Sequence, residues 1–265
     1  MKWMRFMLDG RQAIGVLSGD SVQVYDAREG ATGALPMAGT PQPTEQRVPL
    51  DGLAWLTPCA PGKIIGLWNN FRAAAAKNEW AEPAEPLYFL KATSSALAHG
   101  RPIPVPTAYD GRVAYEGELA VVIGQRAKAV SREAAASHIF GYTCANDVTA
   151  MELIGRDPSF PQWARAKGME GFGAFGPVIE TDFDPAGGEL VTLLNGRERQ
   201  RYPFSDMIFN PQQLVSLISQ DMTLEPGDVI LCGTSLGAMP MKPGSTVEVI
   251  IEGIGRLANE YRAAA

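Results

Sequence analysis

Histidine is nearly absent: the 265 residues contain only His99 and His138. A Ser-His-Asp triad or a multi-histidine metal site has almost nothing to be built from, so a catalytic site here must lean on carboxylates, lysine, backbone groups and a hard cation. Cysteine is also sparse. Cys59, Cys144 and Cys232 lie far apart with no C-x-x-C pair, which suggests neither a zinc knuckle nor a disulfide framework, and they read as small buried hydrophobes. No apolar run approaches the roughly 18 residues of a membrane span. The opening Met1-Lys2-Trp3-Met4-Arg5-Phe6 lacks the apolar core of a secretory signal, so a cytoplasmic protein with no membrane partner is expected. Basic charge is lacking too. A formal net charge of −6, with no Lys/Arg cluster interleaved with aromatics, speaks against nucleic acid as a partner.

What is present is ordinary globular composition, with 46% apolar and 20% charged residues. The length fits one large catalytic body with a small appendage. Residues 1 to about 26 alternate as short strands, with turn signals at Asp9-Gly10 and Ser18-Gly19-Asp20. From Glu29 to Leu50 the composition shifts to Gly, Pro, Thr and Ala, as in a surface linker. The expected division is a small N-terminal β domain plus linker over 1–52 and a catalytic domain over 53–265. Within the body, Lys63 to Leu67 and Leu87 to Leu90 read as strands, and the alanine-rich Phe71 to Trp80 as a helix stopping before the prolines at 83 and 86. Pro102 to Pro106 alternates proline and belongs at a sheet edge.

Val113 to Gly124 reads as one strand whose second half, Leu119 to Ile123, is covered on both faces. Ser131 is a fair N-cap for a helix running to Ile139. Asn210 and Pro211 open a second helix, with Leu214, Leu217 and Ile218 on one face. The tail returns to strands at Asp228 to Cys232, then Thr246 to Ile251 and Gly255 to Tyr261 as a hairpin. Strands outnumber helices without βαβ alternation, so the class is a mixed, β-rich α+β fold.

The sharpest chemical signal is Tyr115-Glu116-Gly117-Glu118-Leu119-Ala120. Residues two apart on a strand face one side, roughly 6 to 7 Å apart, so the two glutamates repel. An exposed, water-screened face is the common outcome for such a pair; the apolar stretch that follows disfavours it here, and a divalent cation is the simplest compensation. Asp147 ends a strand leaving the Ser131 segment, although Asn-Asp alone is more often a loop dipeptide.

YEGELAVVIG at 115–124, GYTCANDVTA at 141–150, RAKG at 165–168 and LEPGDVILCGTS at 224–235 together resemble the core pattern of the fumarylacetoacetate hydrolase family. The resemblance covers roughly residues 60 to 262, with the motifs in the family's order. It implies a β-sandwich roll, a homodimer, and one Mg²⁺ or Mn²⁺ held by Glu116, Glu118 and Asp147. It also implies Lys167 as the active-site lysine and Thr234, beside Gly233, in the loop that contacts the substrate carboxylate. Asn70, Arg72 and Lys91 complete the expected substrate-binding set, with Arg72 reaching a distal carboxylate. An oxygen-only site suits Mg²⁺ or Mn²⁺ over zinc and a small 2-oxo acid as bidentate ligand.

The chain departs from the family at the lid. Where Asn-Tyr-x-x-His-x-x-Glu is usual, it reads Asn70-Phe71-Arg72-Ala73-Ala74-Ala75-Ala76-Lys77, so the histidine and glutamate that activate water or shuttle protons are replaced by Ala74 and Lys77. Met151 and Ile154 stand where arginine and glutamine are usual, predicting a more apolar pocket. The expected function is hydrolysis of a carbon–carbon bond in an acylpyruvate-like acid of aromatic-compound degradation, with metal-bound hydroxide or a lid carboxylate, Glu79 or Glu82, as base. The alternatives are isomerisation or decarboxylation of a 2-oxo or 2-hydroxy-dienoate, and a catalytically weak member that binds a small acid.

Overall fold

The alternation of the first 25 residues becomes a three-strand meander. Strands Lys2–Leu8, Arg11–Ser18 and Ser21–Tyr25 pair antiparallel. Asp9 and Gly10 both take positive φ, 49° and 75°, as a two-residue hairpin turn matched to the strand twist requires. The structure, a computed structural model, describes residues 1–26 and 41–263.

The meander does not stand apart. Lys2 and Trp3 pair with Glu180 and Ile179 of strand Gly173–Glu180, which makes the first strand an inner member of a twelve-stranded sheet. From one edge the sheet runs Pro43–Pro49, Ser21–Tyr25, Arg11–Ser18, Lys2–Leu8, Gly173–Glu180, Ile139–Asp147, Gly117–Ile123, Val229–Leu231, Ile64–Trp68, Leu87–Lys91. Ala54–Trp55 and Ala96–Leu97 pair off this path. Of the expected linker, residues 29–40 lie outside the described residues. Pro43–Pro49 is a strand rather than a linker. Its side chains are mostly exposed, so backbone pairing holds it and no apolar alternation betrays it in the sequence.

Gly117–Ile123 is buried along its whole length. Leu119, Val121 and Ile123 enter one core cluster, with Phe71, Leu214 and Ile218; Ala120 and Val122 enter another, with Phe175 and Leu231. This is the two-faced burial that a continuous apolar run signals. A five-stranded sheet, ordered Arg197–Pro203, Glu189–Leu194, Ser245–Ile251, Gly255–Arg262, Ile103–Pro104, carries the expected C-terminal hairpin and holds the proline-alternating segment at its edge. A small three-stranded sheet joins Thr149–Ala150, Val113–Tyr115 and Met239–Pro240.

Helices are few. Among the described residues Pro211–Asp221 is the longest, opened by a reciprocal capping box in which Gln213 N–H donates to Asn210 Oδ1 (3.0 Å) and Asn210 N–H to Gln213 Oε1 (2.9 Å). The lid helix is short, Arg72–Lys77. The helix expected from Ser131 reduces to turns and a 3₁₀ segment, Ala135–His138, because only Ala135 between Ser131 and His138 is buried and a helix with no apolar face to pack is marginal. Among the described residues no helix is long and apolar enough to cross a membrane, and all three cysteines are buried and free.

Candidate active site

Two adjacent central strands deliver the acidic residues. Gly117–Ile123 and Ile139–Asp147 pair antiparallel with Glu118 opposite Ala145, so Glu118 at the head of one strand lies near Asp147 at the tail of the other. The continuous strand expected over 113–124 is instead interrupted at Glu116, between Val113–Tyr115 and Gly117–Ile123. At the break Glu116 N–H donates to the Asn146 side chain (3.0 Å) and Asp147 N–H to Glu116 O (2.8 Å). The acids still converge: one oxygen each of Glu116, Glu118 and Asp147 lie within 4.8 Å of one another.

Gly117 between them has a steric reason. A Cβ there would meet Thr192 Oγ1 at 2.1 Å, so only glycine lets the five-stranded sheet approach. Gly117 N–H donates to Gln200 Oε1 (3.0 Å), and its carbonyl accepts from Thr234 Oγ1 (2.9 Å) and from the Tyr202 hydroxyl. Gln200 Nε2 donates in turn to Thr234 Oγ1 (2.9 Å). Gln200 and Tyr202 thus tie the Thr234 loop to the acidic strand. Sequence reasoning missed both; the only trace is an uncharged Gln within Arg197-Glu198-Arg199-Gln200-Arg201.

Two lysines face the acids. Lys167, the last residue of helix Trp163–Lys167, is buried and donates to Asp147 Oδ2 (2.6 Å) and Glu116 Oε2 (2.8 Å). Lys91, the last residue of strand Leu87–Lys91, has no exposed side-chain surface and donates to Asp147 Oδ1 (2.5 Å). Burial pushes the Lys167 ammonium down, but Asp147, Glu116 and Glu118 outweigh it and hold its pKa above the ordinary lysine value. For Lys91 burial wins over Asp147, with the Lys167 charge adding to it, and the pKa is lowered. Asp147 is raised by burial but brought below its usual value by the two lysines.

Glu118 is the exception. It is fully buried, its Oε2 accepts only Gly233 N–H (2.6 Å), and its Oε1 has no partner. Burial first, then the charges of Asp147 and Glu116, push its pKa well above the carboxylate range. An orphaned carboxylate oxygen facing two further acids in an oxygen-only donor set fits a hard divalent cation.

A cavity of about 330 Å³ opens beside Glu116, whose side chain keeps 20% of its surface exposed. Its walls are Leu67, Trp68 and Asn69, the lid residues Ala74, Lys77, Asn78 and Trp80, and Thr234 to Ala238. Glu116 and Thr234 therefore face the cavity, and Lys167 and Gly233 hold the acids behind it.

Four expected site residues are positioned otherwise. Lys91 is spent on Asp147 and is closed to the cavity. Asn70 is buried with its amide consumed by backbone: it donates to Phe209 O (3.1 Å) and Cys232 O (2.8 Å) and accepts from Phe209 N–H (2.8 Å), anchoring the lid. Arg72 points away, donating to Met207 O and pairing with Glu82 at 3.5 Å. Glu79 is exposed at φ 57° just past the lid helix, and neither it nor Glu82 is among the cavity walls. Met151 and Ile154 are half-buried and also lie outside the walls, Ile154 packing on a core cluster.

Residues 63–262 match the family model described as fumarylacetoacetate (FAA) hydrolase C-terminal, and residues 1–58 one described as Rv2993c-like, N-terminal. A mitochondrial oxaloacetate tautomerase FAHD1 of Arabidopsis thaliana is 39% identical, over 74% of this chain and 88% of that protein. The solved 5-carboxymethyl-2-hydroxymuconate delta-isomerase from Mycobacterium smegmatis is 36% identical, with TM-score 0.88 and full coverage of both chains. A maleylpyruvate hydrolase from Sphingobium sp. SYK-6, solved with manganese(II) and pyruvate, is 25% identical, with TM-score 0.80 and full coverage of both chains.

Proposed function

This chain belongs to the fumarylacetoacetate hydrolase family, and from that premise we propose that it converts a small 2-oxo acid through its enolate, by decarboxylation or keto–enol and double-bond isomerisation, without hydrolysing a carbon–carbon bond. The family's members are hydrolases, isomerases and decarboxylases, and the chain is an enzyme of that kind. The observation that carries the choice is the lid. Ala74 and Lys77 line the cavity, whose walls, among the described residues, hold no histidine and no carboxylate besides Glu116. Hydrolysis needs a base to turn water into a nucleophile; the lid carboxylates Glu79 and Glu82 lie outside the walls, which leaves metal-bound hydroxide as its one remaining source. Decarboxylation needs no base, and isomerisation makes no nucleophile from water: the proton that leaves one substrate carbon is taken up and returned to another atom by solvent or by Glu116 at the wall.

Glu116, Glu118 and Asp147 would hold one Mg²⁺ or Mn²⁺, which supplies Lewis acidity at the 2-oxo oxygen. The chain's own groups do the rest. Lys167, held by two acids, adds a fixed positive charge near the developing oxyanion. Thr234, pinned between Gln200 and Gly117, keeps the facing wall in place. Trp68, Trp80 and Leu236 present apolar surface that thins the water around the reacting carbons. A homodimer in the cytoplasm belongs to the same proposal.

The test is a panel of acylpyruvates, oxaloacetate and 2-oxo-dienoates, followed by NMR with and without Mg²⁺ or Mn²⁺. The expected products are carbon dioxide with the shortened acid, or the shifted double bond, and turnover vanishes with chelator or in Glu118→Gln. Cleavage of an acylpyruvate into two acids as the dominant reaction would overturn the choice, and metal-independent turnover would overturn the site.

A further inference from the structure

The cavity carries one positive charge that the acidic centre does not use. Lys77 closes the lid helix, is exposed, and is a cavity wall together with Asn69, Trp80 and Glu116. Lys167 and Lys91 are committed to Asp147 and Glu116, and Arg72 to Met207 O and Glu82. Lys77 has neither an ion pair nor a side-chain hydrogen bond among the described residues. A lysine in the last turn of a helix is favoured by the helix dipole alone, but that accounts for neither the cavity it borders nor the missing counterion.

We propose that Lys77 reads the far end of the substrate. With the 2-oxo carboxylate end at Glu116, Glu118 and Asp147, a second carboxylate, joined by a carbon chain lying along Leu67, Trp80 and Leu236, ends on the Lys77 ammonium. The distal recognition expected of Arg72 then falls to Lys77, which makes Lys77 the residue that separates a diacid from a monoacid in this cavity. A cavity of about 330 Å³ is at the small end of ligand pockets, roughly 300 to 1,000 Å³, which suits a short diacid. The near end rests on the enolate-forming reading; the reading of the far end is tested by binding alone.

The probes are 2-oxoadipate and its distal monomethyl ester, titrated calorimetrically into the full chain loaded with Mn²⁺. Wild type is expected to bind the diacid about tenfold tighter than the ester, as one charge-assisted contact allows, with the gap narrowing at high salt. In Lys77→Met the diacid falls to the ester's affinity while the ester moves by less than twofold, and Lys77→Arg keeps most of the preference. Equal binding of both probes by wild type, equal weakening of both in Lys77→Met, or no binding of either overturns the inference. Deuterium exchange at C3 of the same probes, read by NMR, reports enolate formation separately. Lys77-dependent discrimination without exchange sinks the enolate reading and leaves this one standing; exchange without discrimination does the reverse.

Discussion

Glu118→Gln should make the metal-free protein more stable while disabling the site. In wild type Glu118 is fully buried with Oε1 unpartnered beside Asp147 and Glu116, and a buried polar atom left unsatisfied costs about 1–3 kcal/mol. Glutamine keeps the shape and the oxygen that accepts Gly233 N–H, and turns the other arm into a donor between two acceptor acids. At roughly 2–4 °C per kcal/mol for a chain of this size, the variant should melt about 2–12 °C higher in EDTA. Saturating Mn²⁺ reverses the order. A ligand at 100 times its Kd adds about 2.7 kcal/mol to wild type, and the variant should receive little of it. The pH dependence has a fixed sign. A carboxyl whose folded pKa lies above its unfolded value near 4.5 gives the folded state the extra proton, so metal-free wild type loses stability as pH rises from about 4.5 through the raised folded value. Asp147, whose folded pKa is depressed below 3.8, acts the opposite way, losing its contribution as pH falls below that value. Scanning calorimetry in EDTA and in Mn²⁺ across this range is the assay. A variant that melts lower than wild type in EDTA, or keeps the full Mn²⁺ increment, would refute the reasoning.

Lys167→Met leaves Asp147 and Glu116 facing Lys91 alone, and breaking a buried ion pair from one side costs about 3–5 kcal/mol. The urea midpoint in EDTA should fall accordingly and recover in part with Mn²⁺, and an unchanged midpoint contradicts the pairing. Asn70→Ala removes three hydrogen bonds to backbone and should cost about 3 kcal/mol in urea titration at roughly 1 kcal/mol each; a loss under 1 kcal/mol would return Asn70 to the list of ligand contacts. Asn210→Ala opens the capping box of the longest helix and should cost about 1 kcal/mol with no change in metal affinity.

Elements whose neighbours in sequence are their neighbours in space were legible in the residues. The meander over 2–25, the hairpin of Ser245–Ile251 with Gly255–Arg262, and the capped helix after Asn210 all follow from local periodicity and turn chemistry. The break at Glu116 was not legible, because its cause is the Asn146 side chain 30 residues away. Lys91 ends a strand whose Leu87 and Leu90 are exposed, so nothing local announces that it is buried on Asp147. Pro43–Pro49 is recruited by backbone pairing alone, and the Ser131 segment lacks the apolar face its cap promised. The three acids were legible only jointly, as a motif set: each separately is what a solvated surface or a turn would also contain.

The charges around those acids are unevenly shared, and the unevenness says where a cation is wanted. Asp147 has a lysine on each oxygen, and Glu116 has Lys167 on one oxygen and the Thr149 hydroxyl, at 2.6 Å, on the other. Glu118 has a single backbone N–H. It cannot turn toward water, because it heads a strand buried on both faces and locked by pairing to Ile139–Asp147. The fold therefore holds a destabilised carboxylate at one fixed point, a strain retained where binding relieves it. The lid is built differently: its helix is six residues long, hung from Asn70, and meets the cavity through Ala74 and Lys77, with Asn78 and Trp80 just past its end. On the function proposed above, substitutions at 74 and 77 change the proton carrier or the far-end charge without touching the acids, so the lid would set reaction and substrate while the acidic centre would supply the electron sink.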